Sequence, residues 1–355
     1  MIYEDITVSG SISISGSFNV PNYVSSVLAD QATGSLYFDT TDKLFKVFQS
    51  GAGAINVASQ PFIPSPSAQP VNIEYLVVAG GGGGGAIAGA GGAGGYLSGS
   101  LSSIESGTSI TVTIGGGGAA KQLSSVANSS TDAVGDKGTD SSIASAGGTS
   151  FTTVTTLGGG AGGYYAPDYG SSTAKLNGGS GGSMINFSGG GEYAGVGTAG
   201  QGNDGHIGTG ASPYNTGGGG GAGADATSTG GGDGKQTPIN GTLTYYAGGG
   251  GNSGFYNSAG QSGGQGGGAN GAAASSNAIN ATANTGGGGG GGGTTGGSQT
   301  SGLRYPSNGG SGIVILAYDA TKVSATGGTI TTRSHDSYKV HTFTTSGTLT
   351  VSDPT

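Results

Sequence analysis

Residues 74–85, EYLVVAGGGGGG, join a short apolar strand to six consecutive glycines, and residues 309–318, GGSGIVILAY, make the same join in reverse. Leu76, Val77 and Val78 in the first, and Ile313, Val314, Ile315 and Leu316 in the second, form runs too short for a helix. Their β-branched and aliphatic character reads as buried strand, and the two are expected to pair. Between them the chain returns to glycine at 115–118, 158–160, 217–221, 248–251 and 286–293, with polar and aromatic connections in between. The expectation is a glycine framework from which loops are hung.

Glycine (86) and proline (10) together exceed a quarter of the 355 residues, a level at which disorder is the default expectation. Two observations oppose it. Only 8% of the chain is charged and 32% is hydrophobic, whereas disorder goes with charge and a shortage of apolar side chains. No Gly-X-Y period is kept, so a collagen helix is excluded. Ordering a residue costs roughly 1–2 kcal/mol of backbone freedom, and glycine loses about 0.5–1 kcal/mol more than alanine. What glycine permits in return is backbone-on-backbone approach. Extended segments can then lie side by side and hydrogen-bond laterally, at a net gain of about 1 kcal/mol per bond.

The boundaries YLVVAGGGGGG and GGSGIVILAY resemble those of the glycine-rich domain found in phage tail fibres and fibre-tip adhesins, frequent in marine cyanophages, over residues 73–318. The segment TDSSIASAGGTSFTTVTTLGGGAGG at 139–163 also resembles a family pattern, a serine-rich turn and a strand followed by another glycine run. The resemblance implies stacked polyglycine helices. The residues themselves do not exclude an ordinary glycine-rich β-sandwich. Either way the fold class is all-β, with an N-terminal β segment for oligomerisation or a collar and a C-terminal β-hairpin.

Taken in order, residues 1–20 alternate Ile6, Val8, Ile12, Ile14, Phe18 and Val20 on even positions, a β ladder too small to fold alone. It is expected to pair with copies of itself, giving a homotrimer, or with another virion protein. Residues 21–60 form a small collar domain, with a helical turn or two possible over 21–30, and a hairpin over 34–57 turning at Asp39 to Asp42. The stretch GSLYFDTTDKLFKVFQSG is similar to a short β motif near the collars of trimeric phage fibres. Residues 61–72 hold a proline-rich linker, 73–318 the glycine-rich domain, and 319–355 the C-terminal hairpin, with Tyr338, Val340 and Thr342 on one arm and Thr348 and Thr350 on the other. In the family a KVHTFTTSGTLTV-like unit usually precedes YLVVAGG, whereas here its clearest copy comes last and a fainter one, LFKVFQSGAGAINV at 44–57, occupies the expected place. Three placements follow for the terminal copy: a second, truncated unit, closure of the sandwich from the other end, or a reach to a neighbouring subunit.

Several classes of chemistry find no support. Cysteine is absent, so there is no disulfide or thiol chemistry. Ten Lys and Arg against a net charge of −8 offer no basic patch for nucleic acid. The start MIYEDITVSG lacks the basic and apolar parts of a signal peptide, and no apolar run is long enough for membrane insertion. A virion protein assembled in the host cytoplasm is the expectation. Metal motifs are missing, and no cofactor is expected. GVGTAG at 195–200 fits a dinucleotide fingerprint only as chance would supply it, and Asp132, Asp136 and Asp140 have no meaning as spaced ligands in a loop. His206, His335 and His341 lack a partner set and no nucleophile elbow occurs, so an enzyme is not expected.

What remains is aromatic placement. Glycine runs have no side chains to offer, so specificity is expected from the connections. YYAPDYG at 164–170 carries the densest cluster, Tyr164, Tyr165 and Tyr169 with Asp168; HIGTGASPYN adds His206 and Tyr214, and GFYN adds Phe255 and Tyr256. The expected partner is a host cell-surface glycan or outer-membrane protein, with rings stacking on tyrosine and Asp168 accepting hydroxyl hydrogen bonds. The competing expectation is that individual tyrosines only seal the ends of the glycine body. A capsid decoration or head fibre of purely structural role is the alternative function, and a silk-like wall protein a third.

Overall fold

The structure is a computed structural model. It describes the backbone of residues 22–23, 36–39, 44–49 and 53–56, and residues 70–87, 89–122, 133–164, 173–186, 194–209, 217–253, 259–273, 276–294, 303–334 and 336–354. The chain divides into two compact units, residues 1–67 and 68–355. In the first, β1 (Asn22–Tyr23), β2 (Leu36–Asp39), β3 (Leu44–Gln49) and β4 (Gly53–Asn56) form one sheet in that order. β2, β3 and β4 are antiparallel, with Phe38 opposite Phe45 and Val47 opposite Ile55. Residues 22–23 are thus strand, parallel to β2, where the sequence allowed a helical turn. The 1–20 ladder and the turn residues 40–42 lie outside the described residues.

In the second unit the paired apolar strands are β5 (Val71–Val78) and β16 (Ile313–Asp319), antiparallel with Leu76 opposite Ile315 and Val77 opposite Val314. The other strands near them in the chain are β6 (Tyr96–Ile104), β7 (Ser109–Thr113), β8 (Ser141–Gly147) and β9 (Val154–Thr156). After β16 come β17 (Ser324–Thr326), β18 (Thr329–Thr332), β19 (Tyr338–Phe343) and β20 (Gly347–Ser352). They build two five-stranded antiparallel sheets, ordered β18-β19-β16-β5-β6 and β17-β20-β7-β8-β9. The sheets share one core: Ile73, Val77, Leu101, Val314, Leu316 and Phe343 from the first meet Ile110, Val112, Ile143, Leu349 and Val351 from the second. Successive residues of a strand point to opposite faces. Leu76, Val78, Ile313 and Ile315 therefore turn away from this core and pack with Ala93, Ile239, Tyr246 and Ala247 instead. Burial on both faces is the physical reason the runs at 76–78 and 313–316 are continuously apolar.

The C-terminal segment that carries KVHTFTTSGTLTV closes the sandwich. A hairpin is present there, but its arms are β18 and β19, with Ile330 opposite His341. β20, which the alternation at Thr348 and Thr350 made the second arm, crosses to the other sheet and pairs with β7, Leu349 opposite Ile110. Gly327 and Gly328, both at positive φ, make the reversal between β17 and β18 that joins the sheets.

Above the sandwich the glycine runs form a bundle. Run 79–86 leaves β5 and sits at its centre. Its amides donate in three directions that recur every third residue: Ala79, Gly82 and Gly85 to Gly95, Gly92 and Gly89; Gly80, Gly83 and Ala86 to Thr139, Asp136 and Ala133; Gly81 and Gly84 to Gly310 and Ser307. Partner numbers fall as its own rise, so these three neighbours are antiparallel. Its carbonyls accept from three parallel neighbours: Gly118 and Lys121, Gly159 and Gly162, Gly289 and Gly292. Six neighbours, bonded laterally at a period of three, constitute the stacked polyglycine helix with three residues per turn. Sandwich and polyglycine stack, left as alternatives by the residues, are both present.

The bundle also shows why these positions are glycine. A methyl group on Gly82 or Gly85 would overlap the carbonyl of Gly160 or Gly163, one on Gly80 that of Gly116, and one on Gly81 that of Gly287. Donors thus face the antiparallel neighbours and the bare α-carbons face the carbonyls of the parallel ones. Where a backbone partner runs out, a side chain supplies the acceptor, at the periphery or inside: Asp140 Oδ1 takes the Gly158 amide at 2.8 Å, Asn308 Oδ1 that of Ala120 at 2.7 Å, and the buried Ser307 Oγ that of Gly290 at 2.8 Å.

Candidate functional site

Direction of travel locates the ends of the glycine runs. Residues 114–122, 157–164 and 286–294 run parallel to the central run and so away from the sheets, ending at Gln122, Tyr164 and Thr294. Residues 247–253 run alongside 286–294, Gly288 donating to Gly248 and Gly291 to Gly251, and end at Ser253. Gly160 and Gly163 donate to Ser180 and Ser183, which carries 179–183 outward into β10 (Met184–Asn186). β11 (Ile207–Thr209) is parallel to β10, with Asn186 opposite Thr209. Every one of these outgoing ends therefore lies at the end of the bundle opposite the sheets. The connections that follow them are residues 123–132, 165–172, 187–193, 210–216, 254–258 and 295–302, which lie outside the described residues.

Of the residues singled out from the sequence, Tyr165, Asp168, Tyr169, Tyr214, Phe255 and Tyr256 belong to those connections and likewise lie outside the described residues. Tyr164 closes its outgoing run and is 8% exposed, so it seals the end of the body and has no open ring face. His206 is half-buried two glycine runs away; its amide donates to Gly218 and its Nδ1 is buried with no hydrogen-bond partner.

Other groups weighed for chemistry have structural employment. His341 is fully buried in β19, its Nδ1 2.6 Å from the Gly327 carbonyl, and its Nε2 3.3 Å from the Tyr318 hydroxyl on which it stacks. A carbonyl only accepts, so Nδ1 carries the proton and Tyr318 donates to Nε2. Burial pushes this imidazole below its ordinary value, opposed by the Gly327 carbonyl and assisted by Lys339. Asp136 pairs with Lys121 at 3.0 Å and Asp140 holds the Gly158 amide, so the spaced acids serve the bundle. His335 and Asp132 lie outside the described residues. Among the described residues no group of three or more His, Asp or Glu is placed to hold a metal ion, and no helix is long and apolar enough to cross a membrane.

Two features near the far end had no signal in the sequence. Asn252 is fully buried and neither atom of its amide has a partner; the Thr294 hydroxyl is in the same condition. Asparagine and threonine in a glycine-rich stretch look like ordinary loop residues, and only the packing of runs 247–253 and 286–294 puts them inside.

No curated protein and no solved structure matched the chain. A family described as "Glycine-rich domain" matches residues 58–319. That span is well over half the chain and includes both strand-to-glycine joins and every glycine run between them: the chain belongs to the glycine-rich domain family.

Proposed function

We propose that this chain is a phage virion fibre protein, a tail fibre or fibre-tip adhesin, that presents loops to a host-surface receptor. The observation that carries the reading is the common end of the outgoing glycine runs. Runs built largely of glycine offer few side chains for recognition, and the described ends of the outgoing runs lie together at the end away from the sandwich. Loops on a rigid scaffold are where binding specificity is ordinarily built. Tyr165, Tyr169, Tyr214, Phe255 and Tyr256 bring aromatic faces with few rotors to freeze, and Asp168 an acceptor for sugar hydroxyls. With Tyr164 sealed into the body, stacking falls to Tyr165 and Tyr169. Attachment to the virion is assigned to residues 1–20, and a homotrimer is the assembly in which that ladder buries its apolar face.

The test is adsorption of the purified protein to host envelopes. Tyr165→Ala with Tyr169→Ala lowers binding and leaves the unfolding midpoint unchanged if the reading holds; equal binding by both proteins removes this loop from the contact. The virion protein that contacts residues 1–20 separates the two attachments, a tail or baseplate partner supporting adsorption and a major capsid partner supporting a decoration role.

A further inference from the structure

Four asparagines are followed by glycine: Asn177, Asn240, Asn270 and Asn308. Asn–Gly is the dipeptide most prone to spontaneous deamidation, because the unhindered glycine nitrogen attacks the asparagine Cγ. A nitrogen–Cγ bond forms, the Cγ–Nδ2 bond breaks and ammonia leaves; water then opens the succinimide to aspartate or isoaspartate. Asn177, Asn270 and Asn308 are exposed and Asn240 is partly so, which leaves water free access to all of them.

In this fold both reacting groups are engaged at every one of the four. Asn177 Oδ1 accepts from the Val196 amide at 2.8 Å while the Gly178 amide donates to the Val196 carbonyl at 3.2 Å. Asn270 Oδ1 takes the Gly263 amide at 2.9 Å and Gly271 donates to Gln261 at 3.0 Å. Asn308 Oδ1 takes the Ala120 amide at 2.7 Å and Gly309 donates to Gly118 at 3.0 Å. Asn240 Oδ1 takes the Thr242 amide at 3.0 Å and Gly241 donates to Pro238 at 2.8 Å. The dipeptide acts as a two-point clasp, the side-chain carbonyl replacing a missing backbone acceptor and the glycine amide supplying the donor. While the clasp is closed, the nitrogen is held against one carbonyl and Cγ is held toward another amide.

We propose that these four bonds are latent modification sites gated by the fold: each is silent while its own clasp is closed, and deamidated wherever that clasp opens. Isoaspartate adds a methylene to the main chain and destroys the period-three register, so a run that has reacted does not reclose. The clasps differ in kind. That of Asn240 is closed within residues 238–242, between β12 (Lys235–Thr237) and β13 (Thr244–Tyr246), and opens with local fraying. Those of Asn177, Asn270 and Asn308 tie separate runs and open only when runs part.

The full-length protein is incubated at mildly alkaline pH, once native and once in urea, and each site is followed by peptide mapping with mass spectrometry. Opening two hydrogen bonds predicts a native rate about thirtyfold below the urea rate at Asn177, Asn270 and Asn308, with Asn240 the first to react in the native protein. Equal rates in the two states overturn the gating. Reaction of Asn308 or Asn270 ahead of Asn240 in the native protein overturns the distinction between local and run-to-run clasps.

Discussion

Substituting Gly82 by alanine is the sharpest perturbation of the bundle, because the residue is surrounded by backbone on all sides. The added methyl overlaps the Gly160 carbonyl, which is itself the acceptor for the Gly92 amide at 2.8 Å. Separating the two runs also strains the Gly82 amide to Gly92 at 2.9 Å and the Gly289 amide to Gly82 at 2.8 Å. Overpacking costs roughly 1–3 kcal/mol, and each buried backbone group left unpaired roughly 1–3 kcal/mol more. A loss of about 3–6 kcal/mol is expected, against a total stability of about 5–15 kcal/mol for a domain. The control is Gly147→Ala at the end of β8, where an added methyl meets nothing within 4 Å; it should stay within about 1 kcal/mol of wild type. Denaturant unfolding followed by circular dichroism measures both. A Gly82→Ala protein as stable as Gly147→Ala would refute the close-packed backbone account.

Thr294→Val removes a buried hydroxyl that has no partner and nearly conserves shape, so it should leave stability unchanged or raise it by up to about 1–3 kcal/mol; a fall beyond about 1 kcal/mol by the same unfolding assay argues that the hydroxyl is used. Arg333, buried over the Tyr338 ring, bonds Asp336 through Nε and Nη2 and Glu74 through Nη1. Asp336→Asn should therefore cost more than Glu74→Gln, since the Glu74 side chain is 40% exposed and its pair is screened by solvent; the reverse order in unfolding midpoints would contradict this. His341 is held neutral by burial, so the unfolded chain binds its proton at a higher pH than the folded one. Its contribution to stability is present above its ordinary pKa, about 6.5, and is lost as pH falls from there toward the lowered folded value. Thermal scans from pH 8 to 5 should show that decline, and His341→Gln should remove it.

The strands at both ends of the glycine-rich region were legible because their apolar runs sit directly against glycine, and burial on two faces explains the absence of alternation there. The destination of β20 was not legible. Thr348 and Thr350 alternate identically whether the strand turns back on β19 or crosses to β7, and what decides is the burial of Leu349 and Val351 against Ile110 and Val112. The stack was open for a related reason. Its period of three is written in the directions of amides and carbonyls, and a run of identical glycines carries no trace of it. Register comes instead from the non-glycine residues at the run ends, among them Thr139, Asp140, Ser307 and Asn308. At the candidate site the common end of the outgoing runs follows from run direction, which strand order implies once the central run is placed. The burial of Tyr164 is a property of packing that its neighbours YAPDY do not reveal.

Hydroxyl-radical footprinting of the full-length protein, free and bound to host envelopes, tests directly whether recognition resides at the far end of the bundle. The account predicts protection at Tyr165, Tyr169, Tyr214, Phe255 and Tyr256 on binding, with exposed sandwich residues such as Ile330 in β18 unchanged. Protection of Ile330 and its strand, with those five aromatics as reactive as in the free protein, would contradict it.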